Sequence, residues 1–130
     1  MQTSSYGWRR QPRVIPPADE PLMARFENDW LPPIRTVCDI SEGGVEVETA
    51  TRLPAAALDR SLFLRLWIPE PFSREIALQA TVRHMSGCRV GARFVDLRER
   101  ERHVLREYVE HLRRNGSWFQ RMRRQLFPAS

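Results

Sequence analysis

The stretch IRTVCDISEGGVEVE, residues 34–48, reads as two strands folded back through a polar turn. In its second half Val45 and Val47 alternate with Glu46 and Glu48, which puts one face of a strand in a core and the other in water. Ile34 to about Cys38 reads as the strand before it. Between them lies Asp39-Ile40-Ser41-Glu42-Gly43-Gly44, an Asp-x-Ser-x-x-Gly turn. Asp and Ser side chains accept hydrogen bonds from nearby backbone and glycine admits backbone angles closed to other residues, so the hexapeptide can simply turn the chain. Aimed outward instead, the carboxylate and hydroxyl would offer an acceptor and a donor to a polar ligand, and the bare Gly44 would let that ligand close to the backbone. On the residues alone both readings stay open.

The same periodicity extends outward. Leu22, Ala24 and Phe26 alternate with Met23 and Arg25, a first strand closed by the turn chemistry of Glu27-Asn28-Asp29. Thr51 to Arg60, with Pro54 and an Ala-rich patch, reads as a loop or a single helical turn. Leu62 to Ile68 is strongly strand-like and ends at Pro69 and Pro71, because proline supplies no ladder hydrogen bond. Two further strands, Ile76 to about His84 and Cys88 to about Val95, are joined by Met85-Ser86-Gly87, a hairpin turn. Six short strands at close spacing predict a small antiparallel barrel or sandwich, a mainly β fold.

Past Asp96 the period becomes helical, with Val104, Leu105, Tyr108, Val109 and Leu112 on one face. Asn115-Gly116 predicts a stop, after which Ser117 caps a second helical segment carrying Trp118, Phe119, Met122 and Leu126. Ahead of the strands, Pro12, Pro16 and Pro17 predict an extended arm, which bears Trp8, Arg9, Arg10 and Arg13. The expected organisation is therefore a flexible arginine-bearing arm at 1–20, a barrel with its closing helix at 21–114, and a helical extension at 115–130.

At 130 residues the chain is long enough for one self-sufficient core. With 42% apolar and 28% charged residues it has the composition of a soluble globular domain. The longest apolar run, Leu62 to Ile68, is broken by Arg65 and too short to cross a bilayer, and no apolar stretch follows the N-terminus as a secretory signal would require. A cytoplasmic protein is expected. Cys38 and Cys88 stand apart with no CxxC or Cys/His spacing, which predicts reduced thiols. The net charge of +5 favours an anionic partner. All the basic side chains apart from histidine are arginine, whose planar fork matches phosphate and the guanine Hoogsteen edge, although a chain without lysine also follows from codon bias.

Catalytic and metal-binding patterns are thin. Asp39, Ser41 and His84 contain the residue types of a triad, but nothing in the sequence brings the imidazole to the hydroxyl. His103 and His111, eight residues apart on a helix, have no matching ligand set, so no metal site is expected. There is no Walker loop, and Gly87 to Gly91 lies in a hairpin where a dinucleotide-binding loop does not fit. No enzyme activity is expected. The last helical segment sets Trp118, Phe119 and Met122 against Arg121, Arg123 and Arg124, a pattern open to a membrane surface, to the barrel or to a second copy; a homodimer through this helix is the reading taken.

Arg9-x-x-x-Arg13, followed by Asp39-x-Ser41-x-x-Gly44, then Val90-Gly91-Ala92-Arg93-Phe94 and a closing helix, resembles the PilZ domain family over roughly residues 8 to 114. The resemblance implies a six-stranded antiparallel β-barrel with a C-terminal helix that binds the bacterial second messenger cyclic di-GMP, uses no cofactor and signals to a protein partner. On that resemblance Arg9 and Arg13 pair with phosphate or guanine, and Asp39 accepts from the guanine N1 and N2 donors. Ser41 contacts phosphate or an arginine, Gly44 admits the ligand, Arg10 and Arg83 assist, and Trp8 influences whether one ligand or a stacked pair binds. Two alternatives stand beside it: a PilZ-like interaction module without ligand, and a small basic barrel that binds single-stranded nucleic acid through its arginines and aromatics such as Trp8 and Trp30.

Overall fold

The structure is a computed structural model that describes residues 11–126, with side chains up to Asn115. In chain order the strands are β1 Met23–Phe26, β2 Ile34–Ile40, β3 Gly44–Thr49, β4 Ser61–Ile68, β5 Arg74–Ser86 and β6 Arg89–Val95, followed by one helix, α1 Glu99–Leu126. A 3-10 turn, Ala55–Ala57, occupies the Ala-rich stretch before β4. All pairings are antiparallel in the order β1-β4-β5-β6-β3-β2. The two edge strands β1 and β2 come into contact, so the sheet curls into a nearly closed barrel.

Alternation decides which face each residue takes. On β4, Leu62, Leu64, Leu66 and Ile68 are buried, and on β5 the inward set is Ile76, Leu78, Ala80 and Val82. Arg65, which breaks the apolar run, lies outside and bonds to Glu27 and Glu75, so its charge never enters the core. A bulge between Val82 and His84 interrupts the β5–β6 register and bends the strand there. β5 continues to Ser86, paired with Arg89, so the hairpin turns at Gly87-Cys88 and not across Met85-Ser86-Gly87 as expected. The reason is backbone geometry: Gly87 has φ 62°, the left-handed value that a two-residue hairpin loop requires.

Helix α1 starts with a partial cap. Glu101 accepts a 3.2 Å bond from the Arg98 N–H, one half of a capping box, and Glu99 adds favourable charge to the first turn. Leu105, Tyr108 and Val109 then enter the core, with Val104 and Leu112 packed at its margin. The predicted stop at Asn115-Gly116 does not occur, and one continuous helix replaces the two expected segments. A glycine inside a helix costs about 1 kcal/mol relative to alanine, which weakens a helix without ending it.

Of the expected arm, residues 1–10 lie outside the described residues. Beyond them the chain is tied down at Val14, which is buried and exchanges two 2.9 Å backbone bonds with Ile40. This bridge caps the outer edge of β2 and fixes where Arg13 stands.

One core group is left unsatisfied. Tyr108 is 1% exposed, Phe72 meets it edge-on at 5.9 Å between ring centroids, and its hydroxyl has no hydrogen-bond partner among the described residues. Burial first, then the Glu20 carboxylate, pushes the phenol well above its ordinary value of 10.0. Removing the hydroxyl removes an unpaired polar atom, so Tyr108→Phe should be neutral to stabilising by about 1 kcal/mol in urea unfolding. A folded-state value raised above the unfolded one means that the wild type loses stability as pH climbs past about 10, and the variant should lack that loss. A variant clearly less stable at neutral pH would show that the hydroxyl has a partner.

Candidate ligand-binding site

Strand register assembles a polar row on the outer face of the barrel. Asp39 of β2 pairs with Glu46 of β3, Glu46 with Gly91 of β6, and Gly91 with His84 of β5. Four strands thus contribute one residue each to a single line. Gly91 is where the line is thinnest: a Cβ there would overlap the His84 imidazole, so the missing side chain lets the ring lie across β6. From that position His84 Nε2 reaches to 3.9 Å of Glu46 Oε1, while Arg89 Nη1 holds Glu46 Oε2 at 2.8 Å.

The arm supplies the next charge. Held beside β2 by the Val14–Ile40 bridge, Arg13 puts Nη1 4.0 Å from Asp39 Oδ2. The side chains remain partly open, at 37% for Arg13 and 23% for Asp39. Burial raises the Asp39 pKa above its usual 3.8; the Arg13 guanidinium opposes the shift, Glu46 adds to it, and Arg89 and His84 pull it back. The carboxylate therefore sits where a hydrogen-bond donor would stabilise its charge.

The turn itself resolves the alternatives left open at the sequence level, differently for its two polar residues. Ser41 is 1% exposed, and its Oγ accepts 3.2 Å bonds from both the Gly43 and Gly44 N–H groups. Its own N–H donates to the Gly44 carbonyl at 2.9 Å. The Ser41 hydroxyl is thus committed to closing the turn, whereas Asp39 faces the row. Gly44 is buried at the start of β3, paired with Arg93. Among the described glycines only Gly87 has a left-handed φ, so the turn does not depend on that freedom. Glu42 leaves the turn in the other direction and bonds Arg106 of α1 at 2.9 Å.

Of the residues expected at the site, Arg13, Asp39, Ser41 and Gly44 come together around the β2–β3 turn. Arg83 goes elsewhere: it stands at the β5 bulge beside His84 and its guanidinium reaches Asp59, 3.7 Å away. Trp8, Arg9 and Arg10 lie outside the described residues. Glu46, Arg89 and His84 join the site without having been selected for it from the sequence. Glu46 was visible as the wet face of β3, but its partners depend on the β3–β6 and β5–β6 registers, which periodicity does not specify. His84 does not form the triad considered for it, because the Ser41 hydroxyl is sealed in the turn. Among the described residues no group of three His, Cys, Asp or Glu side chains could hold a metal ion, and no helix is long and apolar enough to cross a membrane.

Arg13→Ala should move the Asp39 titration midpoint further up, because the strongest opposing charge is removed. Carboxyl NMR titration of both proteins reads this directly, and an unchanged midpoint would mean that the guanidinium does not act on the carboxylate.

The family model for the PilZ domain matches residues 9–111. Among solved structures, the PilZ domain of Escherichia coli YcgR with c-di-GMP superposes with a TM-score of 0.68 at 15% identity, covering 94% of this chain and 98% of that one. The Bacillus subtilis inhibitor of motility, MotI, gives a TM-score of 0.67 at 21% identity, covering 82% of this chain and 51% of that one. The MrkH–c-di-GMP complex of Klebsiella pneumoniae gives 0.60 at 16% identity, covering 90% and 55%. The chain therefore spans about half the length of MotI and of MrkH. At these identities the likeness is one of fold. No curated protein sequence matches the chain.

Proposed function

This chain belongs to the PilZ domain family, and on that premise we propose that it is a cyclic di-GMP receptor that passes ligand binding on to a protein partner. The observation that carries the reading is the apposition of Arg13 and Asp39, 4.0 Å apart, from the two motifs that flank the first part of the barrel. Two opposite charges beside each other on an open face match the two ends of a guanine. Asp39 accepts from N1–H and N2–H, and Arg13 donates to O6 and N7 or to a phosphate oxygen. Arg9 of the same motif and its sequence neighbour Arg10 would add charge against the phosphates.

The rest of the row supports a planar ligand. Gly91 leaves the floor without a side chain, and the His84 ring that lies over it offers a face or an edge to a base. Arg89 holds Glu46 back from the phosphates. Ser41 serves by fixing the turn. YcgR and MrkH, which share the fold, were solved with c-di-GMP. The protein works by binding and not by catalysis, in the cytoplasm, where the messenger is read.

Calorimetric titration of cyclic di-GMP into wild type, Arg13→Ala and Asp39→Asn, with GTP as control, tests the site. Each variant should bind at least about tenfold more weakly, the loss expected for a hydrogen bond to a charged group. Affinity should also fall as pH drops toward the raised Asp39 value, since only the ionised carboxylate accepts both guanine donors. A wild type that takes up no cyclic di-GMP would leave the ligand-free interaction module as the better account.

Output follows from the arm. Arg9, Arg10, Pro12 and Arg13 precede the attachment to the barrel at Val14, and an anionic ligand bridging the two sides would order the segment before it. Cleavage by a trypsin-like protease within residues 1 to 13 should slow when cyclic di-GMP is added, and an unchanged cleavage rate at saturating ligand would sink the ordering step.

A further inference from the structure

We propose that a cleft at the end of the barrel, between the arm, the β2–β3 turn, the end of β6 and the first turns of α1, is a phosphate subsite in which Arg93 and Arg102 hold one phosphodiester of the ligand. The inference rests on the cyclic di-GMP reading and adds two residues that neither sequence motif contains. The cleft encloses about 380 Å³, and its polar lining consists of Gln11, Gly43, Arg93, Asp96 and Arg102.

Three features of this cleft point to an anion. Arg93 and Arg102 are half-buried, yet among the described residues neither side chain makes an ion pair or hydrogen bond. Arginines close by are engaged, Arg89 with Glu46 and Arg106 with Glu42. Two guanidiniums sharing one hollow repel each other, and the single carboxylate of the lining, Asp96, leaves one positive charge uncompensated. A phosphodiester carries one negative charge and matches the planar fork of arginine.

The second feature is Gln11, whose side-chain oxygen is buried with no partner among the described residues. Gln11 also lines the cleft, and its amide N–H end is a donor that an anionic oxygen there can accept from.

Position is the third. Gln11 precedes Arg13 by two residues on the arm, Gly43 belongs to the Asp39 turn, and Arg93 pairs with Gly44, two residues along β6 from Gly91. The cleft thus adjoins the polar row. A cyclic dinucleotide with one guanine at Asp39 carries its phosphates on the same ring, so one ligand can span both. Because Arg102 belongs to α1, and Glu42 of the turn already grips Arg106 one turn further along, a phosphate in this cleft ties the binding turn to the helix.

The test titrates cyclic di-GMP into wild type, Arg93→Gln, Arg102→Gln and Arg100→Gln, after thermal unfolding has checked each fold. Arg100 is exposed on α1 outside the cleft, so it controls for loss of one charge on the same helix. Arg93→Gln and Arg102→Gln should each weaken binding at least about tenfold, with a shallower salt dependence, while Arg100→Gln stays within about twofold of wild type. If Arg102→Gln unfolds, Arg102→Lys keeps the charge without the fork and should still bind several-fold more weakly. A wild type that binds, with both cleft variants indistinguishable from it, overturns the subsite and leaves the receptor intact. An equal loss in Arg100→Gln also overturns it, by reducing the effect to overall charge. A wild type that does not bind overturns the receptor reading and the subsite together.

Discussion

Ser41 closes the β2–β3 turn on itself, and the register that follows from this closure organises the outer face of the barrel. Its hydroxyl accepts from two successive backbone N–H groups while its own N–H bonds the Gly44 carbonyl, so the strands on either side have one way to align. In a sheet a slip of one residue sends every side chain to the opposite face. A slip here would put Val45 and Val47 in water and carry Glu46 into the core. The Asp39–Glu46–Gly91–His84 line therefore depends on a buried hydroxyl that touches none of its members.

Within that frame the site is held by weak pairs. The Arg13–Asp39 contact is long and partly exposed, and pairs of that kind contribute at most about 1 kcal/mol. A ligand that offers each partner a better bond can separate them at small cost. Asp39, whose carboxylate burial makes less comfortable as an anion, gains most from a donor in front of it. The Val14–Ile40 bridge is the stronger attachment, since it combines two backbone bonds with a buried side chain. From the same turn, Glu42–Arg106 leads toward α1.

The fold was largely legible because its strands alternate cleanly. Arg65, which breaks the apolar run of β4, lies on the outer face with two carboxylates, as period two requires. The errors came where local chemistry has two outcomes. Asn115-Gly116 carries a stop signal, but a glycine ends a helix when it takes a left-handed conformation, and here the helix simply continues. The hairpin turn fell later than expected because Gly87, and not the residues before it, takes the positive φ. At Ser41 the residues alone left a turn-closing and an outward-facing hydroxyl open, and the hydroxyl accepts from the Gly43 and Gly44 N–H groups within the turn.

What the sequence determined by itself was the strand pattern, the helical face that covers the barrel, and the two polar motifs, since each of these is written in the spacing of neighbouring residues. What only the tertiary structure decided was which of those residues meet. His84 lies over Gly91 and reaches toward Glu46, Arg13 stands at Asp39, Arg83 turns to Asp59, and Arg93 and Arg102 share a cleft with Gln11. Each of these encounters joins different strands, the arm or the helix. Their distances depend on register and on a bulge in β5, which arise from packing of the whole sheet and leave no periodic trace in the chain.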